Sequence, residues 1–461
     1  MVTRRRSSSN FFDTDLVNSK IKRERLKECA DDDSDDAKET FDPYDYGRED
    51  GISACAAVVH ILRSTIGTSI LLMPYLMKNM GYLTSIILIL TFSLVYYHSV
   101  HILMSVEYAL CKMERVAHLS YIGVVQRIIT RAPPPFNKTM NFAYATIYIY
   151  YGIPIGNTTS IIVLATNIHL MAKYFGIILN PTYIMTALIV PLTIFCLPRK
   201  LLKYLAPLSS ISNGCTFLMI SIVIGFSLMQ PVEEASPQAF TDFSLIPRGT
   251  ATFLTAIRCA GLVIPLKNGM ANPKKVTSLT GVLNISGIIA TTVYIAFSLI
   301  VYFNLENEVQ ENVLSNLPTN NRLSFTVCFM YSFALVVSYM LQFFARFETV
   351  WSGAVAESLE YSEYKTPVEY AIRIGINLLA YLMAVFCPCL VLISSVSGTI
   401  GIFVEIILPS VFQLLLMVMT KRKSRWLITK NIVIVGFSGF IFVLSATDCV
   451  FEMMKLFLEY I

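Results

Sequence analysis

The sequence predicts an all-α polytopic membrane protein of eleven spans, arranged as two inverted repeats of five with one extra helix. Three observations carry that expectation. Of 461 residues, 55% are hydrophobic and 15% charged, with a mean hydropathy of +0.60. Apolar runs of the length that crosses a bilayer, about 20 residues, recur from residue 53 to residue 450. Spans one and six each interrupt their apolar run with small residues, a cation and a following proline, which is the spacing of broken helices in paired repeats.

Residues 1–50 form a polar tail: Arg4-Arg5-Arg6, then Ser7-Ser8-Ser9, a mixed basic stretch, and the acidic run Asp31-Asp32-Asp33-Ser34-Asp35-Asp36. Such a segment buries too little apolar surface to offset its ordering entropy, so a disordered cytoplasmic tail is expected. It has no apolar signal-peptide core, which leaves insertion to the first span. Spans are expected near 53–77, 82–104, 139–164, 182–198, 204–229, 251–272, 277–303, 324–346, 371–392, 395–419 and 431–450, with a short tail at 451–461. The repeats then cover about 53–229 and 251–419, and 431–450 is the extra helix.

Threaded from a cytoplasmic N-terminus, this order puts nineteen Lys and Arg residues, Lys267, Arg346 and Arg373 among them, on the inside. The outer loops hold Lys173, Arg248 and Arg322, with Lys455 in the tail. That asymmetry follows the positive-inside bias and places the C-terminus outside. Glu107 and Glu114 then fall in a cytoplasmic loop without a functional role, and His98 and His101 at the interface. The net charge of +5 is spread over loops with no basic patch interleaved with aromatics, so no nucleic-acid partner is expected. The ten cysteines include one C-x-C, Cys387 and Cys389 around Pro388, and packed free thiols are expected rather than a zinc site. No phosphate-cradling Gly-Lys loop, H-E-x-x-H or nucleophile elbow is present, so neither an enzyme nor a nucleotide-driven pump is expected.

The first informative stretch is Ser53 to Gly81. Its middle carries His60, Arg63 and the run Ser64-Thr65-Ile66-Gly67-Thr68-Ser69, with Pro74 beyond. An arginine at the centre of a membrane helix costs about 2.5–3.5 kcal/mol on insertion scales, so Arg63 implies a partner or a water-filled cavity. The second is residues 251–276, with Arg258, Cys259-Ala260-Gly261 and Pro265. A zwitterion stripped of water needs donors for its carboxylate and acceptors for its ammonium. Opened backbone at Thr65, Ile66, Gly67, Thr68 and Ser69, and at Arg258, Cys259 and Gly261, supplies both. His60 lies three residues before Arg63 and seven before Gly67, so all three are expected to share one helical face, and its ordinary pKa of about 6.5 suits proton handling. The Tyr148-Ile149-Tyr150-Tyr151-Gly152 run lines a cavity or simply packs.

The stretch from His60 through Gly67-Thr68-Ser69 to Pro74, followed by Lys78-Asn79-Met80-Gly81, resembles the first-helix signature of proton-coupled amino acid transporters. These form a branch of the amino acid/auxin permease family, in the amino acid-polyamine-organocation superfamily. Further matches are Ile264-Pro265-Leu266 with Asn268, Met270, Asn272 and Pro273, then Asn316-Leu317-Pro318, Leu341-Gln342-Phe343 and Ile407-Leu408-Pro409. Together they span roughly residues 50–450. The resemblance implies eleven spans with a LeuT-like inverted repeat, symport of a small amino acid with protons, no cofactor, and a coupling role for the histidine at His60. It also exposes departures. The family carries an acidic residue where this chain has Arg258, Glu where Lys267 stands, and a second glycine where Ser69 stands. Arg258 is therefore expected either to bind an anionic group of the solute or to be offset by a carboxylate such as Glu405. The membrane is expected to be the plasma membrane or an endosomal or lysosomal one. The alternative is a transporter-like amino acid sensor signalling through its tail with little flux. A channel is disfavoured because no filter motif is present.

Overall fold

The computed structural model describes residues 41–46, 51–133, 136–198, 202–230, 237–241, 243–351, 363–421 and 424–460. Most of the polar tail lies outside the described residues. Among those described the chain is helical, and the one strand-like contact is a parallel bridge between Ile52 and Met270.

The helices are α1 (Ala54–Thr65), α2 (Met73–Met80), α3 (Tyr82–Glu114), α4 (Tyr121–Arg131), α5 (Phe136–Gly152), α6 (Ile155–Tyr174), α7 (Pro181–Cys196) and α8 (Leu202–Leu228). They continue with α9 (Ile246–Ile257), α10 (Ala260–Asn268), α11 (Val282–Leu305), α12 (Arg322–Val350), α13 (Lys365–Phe386), α14 (Leu390–Gly401), α15 (Leu408–Met419) and α16 (Arg425–Tyr460). Among the described residues nine helical units are long and apolar enough to cross a membrane, or ten when the bent pair α1/α2 counts as one. An eleventh crossing would have to be α7, whose 16 residues reach ~24 Å against a hydrocarbon core of ~30 Å.

Helix α9 packs along α14, α12 along both α6 and α8, α1 along α11, and α15 along α3. In the first of these, α9 approaches closely at Gly398, where a β-carbon would sit 1.6 Å from the carbonyl oxygen of Ala251. Small residues let membrane helices approach in this way. Helix α16 is peripheral, with Val433, Phe440 and Phe451 exposed, as suits a face solvated by lipid.

Several boundaries differ from the sequence expectation. The second span continues ten residues beyond 104 to Glu114, so Glu107 sits within a helix and is fully buried. Its charge is offset by an ion pair with Lys267, itself only 2% exposed in the last turn of α10. Neither residue is in a loop, because each neutralises the other. Arg373 likewise lies inside α13, paired with Glu369 at 3.0 Å, and Arg346 inside α12. Glu114 is not in a loop either: it is the last residue of α3, its side chain mostly covered and bound to Arg127 and Arg131 at 3.1 Å each. Those arginines belong to α4, which the span count did not anticipate; it buries Tyr121, Val124, Val125 and Ile128 along one side.

The third span is also interrupted, at Ile153-Pro154, where proline removes an intrahelical donor. The ninth and tenth spans meet at Cys387-Pro388-Cys389 rather than near residue 393. Cys387 ends α13 with φ −136° and ψ 78°, outside the helical region that a following proline disfavours. The nine described cysteines are free.

Candidate functional site

The first break is written into its own residues. Ser53 caps α1 by accepting the amide of Ala56 at 3.2 Å. Twelve residues on, Thr65 turns its hydroxyl back onto the carbonyls of Ile61 and Leu62, a habit that competes with regular helix bonding. Ile66 makes the last helical bond, Gly67 leaves the helix (φ −112°, ψ −143°), and a 3-10 turn spans Thr68–Leu72. Pro74 then occupies the first turn of α2, where its missing donor costs nothing, whereas a continuous helix would drive its ring into the carbonyl of Ile70. The two halves are bent by 47°. The amides of Thr68 and Ser69 open a helical turn and have no acceptor one turn back. A β-carbon at Gly67 would meet nothing within 4 Å, so the backbone there borders open space.

The second break lies at Arg258 (φ −69°, ψ 124°) and Cys259, between α9 and α10. The hydroxyl of Tyr96 accepts the amides of Cys259 at 2.6 Å and Ala260 at 2.9 Å. The N-terminus of α10 is therefore already capped, rather than offering unpaired donors as the sequence reading expected. Gly261, next along, remains accessible, and a β-carbon there would come within 2.8 Å of the Tyr151 ring.

Tyr294 of α11 ties the breaks together. Its buried hydroxyl lies 2.5 Å from the carbonyl oxygen of Thr65 and 3.3 Å from that of Ala256. Tyr331 of α12 adds a bond to the Gly67 carbonyl at 3.4 Å. The structure thus brings the end of α1 and the turn Thr68–Leu72 beside α9, with the carbonyls of Thr65 and Ala256 turned toward one tyrosine.

Arg258 meets the carboxylate expected of it. Its guanidinium donates to Ser397 Oγ at 2.8 Å and to the Tyr150 hydroxyl, stacks over the Tyr150 ring at 5.1 Å, and lies 3.9 Å from Glu405. Arg63 differs: it donates to Thr216 (2.9 Å), to the Ala334 carbonyl (2.8 Å) and to Ser338, with no carboxylate among the described residues. It borders a cavity of about 80 Å³ with Leu62, Ile66, Asn213 and Thr216. Arg346 bonds Asn157 at 2.5 Å and the Gln342 carbonyl at 3.4 Å. Lys267–Glu107 and Arg373–Glu369 are self-neutralised. Of Arg63, Arg258 and Arg346, Arg258 alone lies beside a carboxylate among the described contacts, that of Glu405.

His60 stands apart. It is half-buried one and a half turns before the break, and no hydrogen bond to it is found among the described residues. Nor do His60, Arg63 and Gly67 share a face, because the helix stops at Thr65 while Arg63 points to α8 and α12. Outside the spans, Glu311 in the α11–α12 connection packs against Cys389 (3.9 Å). Burial raises its carboxyl pKa, and the amides of Leu390 and Val391 pull it partly back. The sequence reading missed Tyr96, Tyr294 and Tyr331; a lone tyrosine in an apolar run carries no local signal. At the end of the bundle where α10 stops, Ile52 pairs with Gly269 and Ala271 (2.9 and 3.2 Å), and Tyr44 lies over Lys267 at 5.8 Å.

A proton-coupled amino acid transporter-like protein named pathetic, from Drosophila melanogaster, is 24% identical over 392 residues, covering 82% of this chain and 80% of the relative. Vacuolar amino acid transporter 3 of Saccharomyces cerevisiae is 26% identical over 307 residues, covering 63% of this chain and 41% of the yeast protein. Residues 50–450, which hold both broken helices and the charge network between them, match the description "Transmembrane amino acid transporter protein". This integral membrane chain belongs to that family.

Proposed function

We propose that the protein is a secondary transporter that carries a small amino acid between its two broken helices in symport with protons. The observation that carries this reading is the bridge from Tyr294 to both Thr65 and Ala256, which holds two opened backbones side by side in a helical bundle. The amides of Thr68 and Ser69 take the solute carboxylate at a half-helix N-terminus, and the carbonyls of Thr65 and Ala256 face its ammonium. The name of the Drosophila relative, which includes proton coupling, supports the choice of ion. Eleven spans in a five-plus-five repeat, an N-terminus in the cytoplasm, and residence in the plasma membrane or an endosomal or lysosomal membrane complete the proposal.

Uptake of labelled alanine, glutamate and arginine into proteoliposomes, with and without an inward proton gradient, tests it. Accumulation that rises with the gradient is expected; no accumulation of any of them in either condition contradicts it. For His60, substitution by alanine is expected to reduce the stimulation by acidic outer pH severalfold while leaving the amount of protein in the membrane unchanged. The comparison needs only uptake at two pH values and a quantified blot. An unaltered pH response removes His60 from the coupling mechanism.

A further inference from the structure

The least conventional feature of the site is the environment of Glu405. It lies in a π-helical turn, Ile402–Ile407, and is 1% exposed; π-turns inside helices concentrate at functional positions. Its Oε2 accepts from the Tyr96 hydroxyl at 2.7 Å, and its Oε1 from Tyr150 at 3.3 Å and Tyr151 at 3.4 Å. Arg258 is the cation beside it, yet Nε stands 3.9 Å away, too far for a hydrogen bond. The short bonds of the guanidinium go instead to Ser397 and to Tyr150, so Tyr150 mediates between the two charges. A buried pair this open recovers less of its desolvation cost than a bidentate one. The arginine is thus held near Glu405 without being committed to it, and a second carboxylate can take it at small cost.

The remaining groups around Glu405 do not compete for that role. Tyr121 of α4 spends its hydroxyl on the Val404 carbonyl at 2.6 Å, and the Cys259 thiol lies 4.0 Å from the Tyr96 hydroxyl. Helix α16, packed on the π-turn, presents the Phe442 ring to Phe403. Backbone also approaches closely: a β-carbon at Gly401 would lie 3.0 Å from the Tyr150 hydroxyl and 3.8 Å from the Arg258 guanidinium.

We propose that the solute carboxylate and Glu405 compete for Arg258, and that Glu405 takes up the transported proton as the solute displaces it. The inference rests on the transport reading above and assigns its selectivity and the binding site of the transported proton to one pair of side chains, so that His60 would act on the proton's passage and not as its carrier. In the step, a proton from the entry side binds the Glu405 carboxylate, which becomes a neutral acid still held by its tyrosines. Arg258 stays protonated throughout and pairs with the solute carboxylate. When the solute leaves on the other side, the acid releases its proton there and the Arg258–Glu405 pair reforms. One proton and one zwitterion cross per cycle, and one positive charge moves with them.

The test is binding and uptake of whichever of alanine, glutamate and arginine the wild type accumulates, measured from pH 5 to pH 8. One proton taken up per solute makes wild-type apparent affinity fall about tenfold per pH unit above the titration point. In Glu405→Gln the pH dependence is expected to vanish, read both as uptake and as the thermal shift caused by the amino acid on the purified protein. Glu405→Asp, which keeps a titrating group with altered contacts, is expected to keep the dependence with a displaced midpoint. A Glu405→Gln protein that retains the wild-type pH slope overturns the proposal. So does an unmoved midpoint in Glu405→Asp, which decides the matter even where the glutamine variant fails to fold. A wild type that neither binds nor accumulates any of the three probes overturns the transport reading itself, and this proposal with it.

Discussion

Replacing Lys267 by methionine is expected to destabilise the protein by about 3–5 kcal/mol, the cost of leaving one member of a buried ion pair uncompensated. Glu107 is fully buried and Lys267 is 2% exposed, so neither charge has water to fall back on. The remaining contacts of Glu107, the Cys111 thiol and the Leu119 amide at 3.4 Å each, are long. Paired replacement behaves differently, because two neutral residues of similar shape leave no stranded charge. Glu107→Gln with Lys267→Met is therefore expected to recover most of the loss. Unfolding midpoints of the purified wild type, both single variants and the double variant form a cycle that checks this. Equal losses in the single and double variants would show that the pair is not what holds α3 to α10.

Arg258→Glu is expected to lower uptake on the order of 100-fold while Arg258→Gln lowers it less. The new carboxylate would stand beside Glu405 and against the carboxylate of the solute, and like-charge contacts in a dry interface cost several kcal/mol; each ~1.4 kcal/mol is a factor of ten. Acidic solutes should lose more than neutral ones, because they bring a second negative charge. The measurement is competition of unlabelled glutamate and alanine against labelled alanine, normalised to protein in the membrane. Identical competition in wild type and Arg258→Glu would show that Arg258 does not set selectivity.

What could be read from the sequence depended on how local the cause was. The first break was legible because its agents are contiguous: Thr65 turns back on its helix, Gly67 opens it, and Pro74 forbids its continuation. The second was legible from Cys259-Ala260-Gly261 and Pro265, and the need of Arg258 for an anion pointed to Glu405. The capping of α10 by Tyr96 was not legible, since its partner lies 163 residues away and a hydroxyl has no periodic signature. The pairing of Glu107 with Lys267 spans 160 residues; judged singly, each charge belongs in a loop, and only the fold makes them a neutral pair. The face shared by His60, Arg63 and Gly67 assumed a continuous helix across the very residues that end it. Proline at 154 and 388 marked two more interruptions that a count of apolar residues passes over.

The central claim is that the opened backbones of Thr65–Ser69 and Ala256–Gly261 together hold the amino acid. A cryo-electron microscopy map of the protein in lipid nanodiscs, with an accumulated amino acid at saturating concentration, tests it most directly. Density for the solute is expected between the two breaks, its carboxylate against the Thr68 and Ser69 amides and within reach of Arg258. Solute density elsewhere, or both breaks closed into continuous helices around a protein shown to transport, would contradict it.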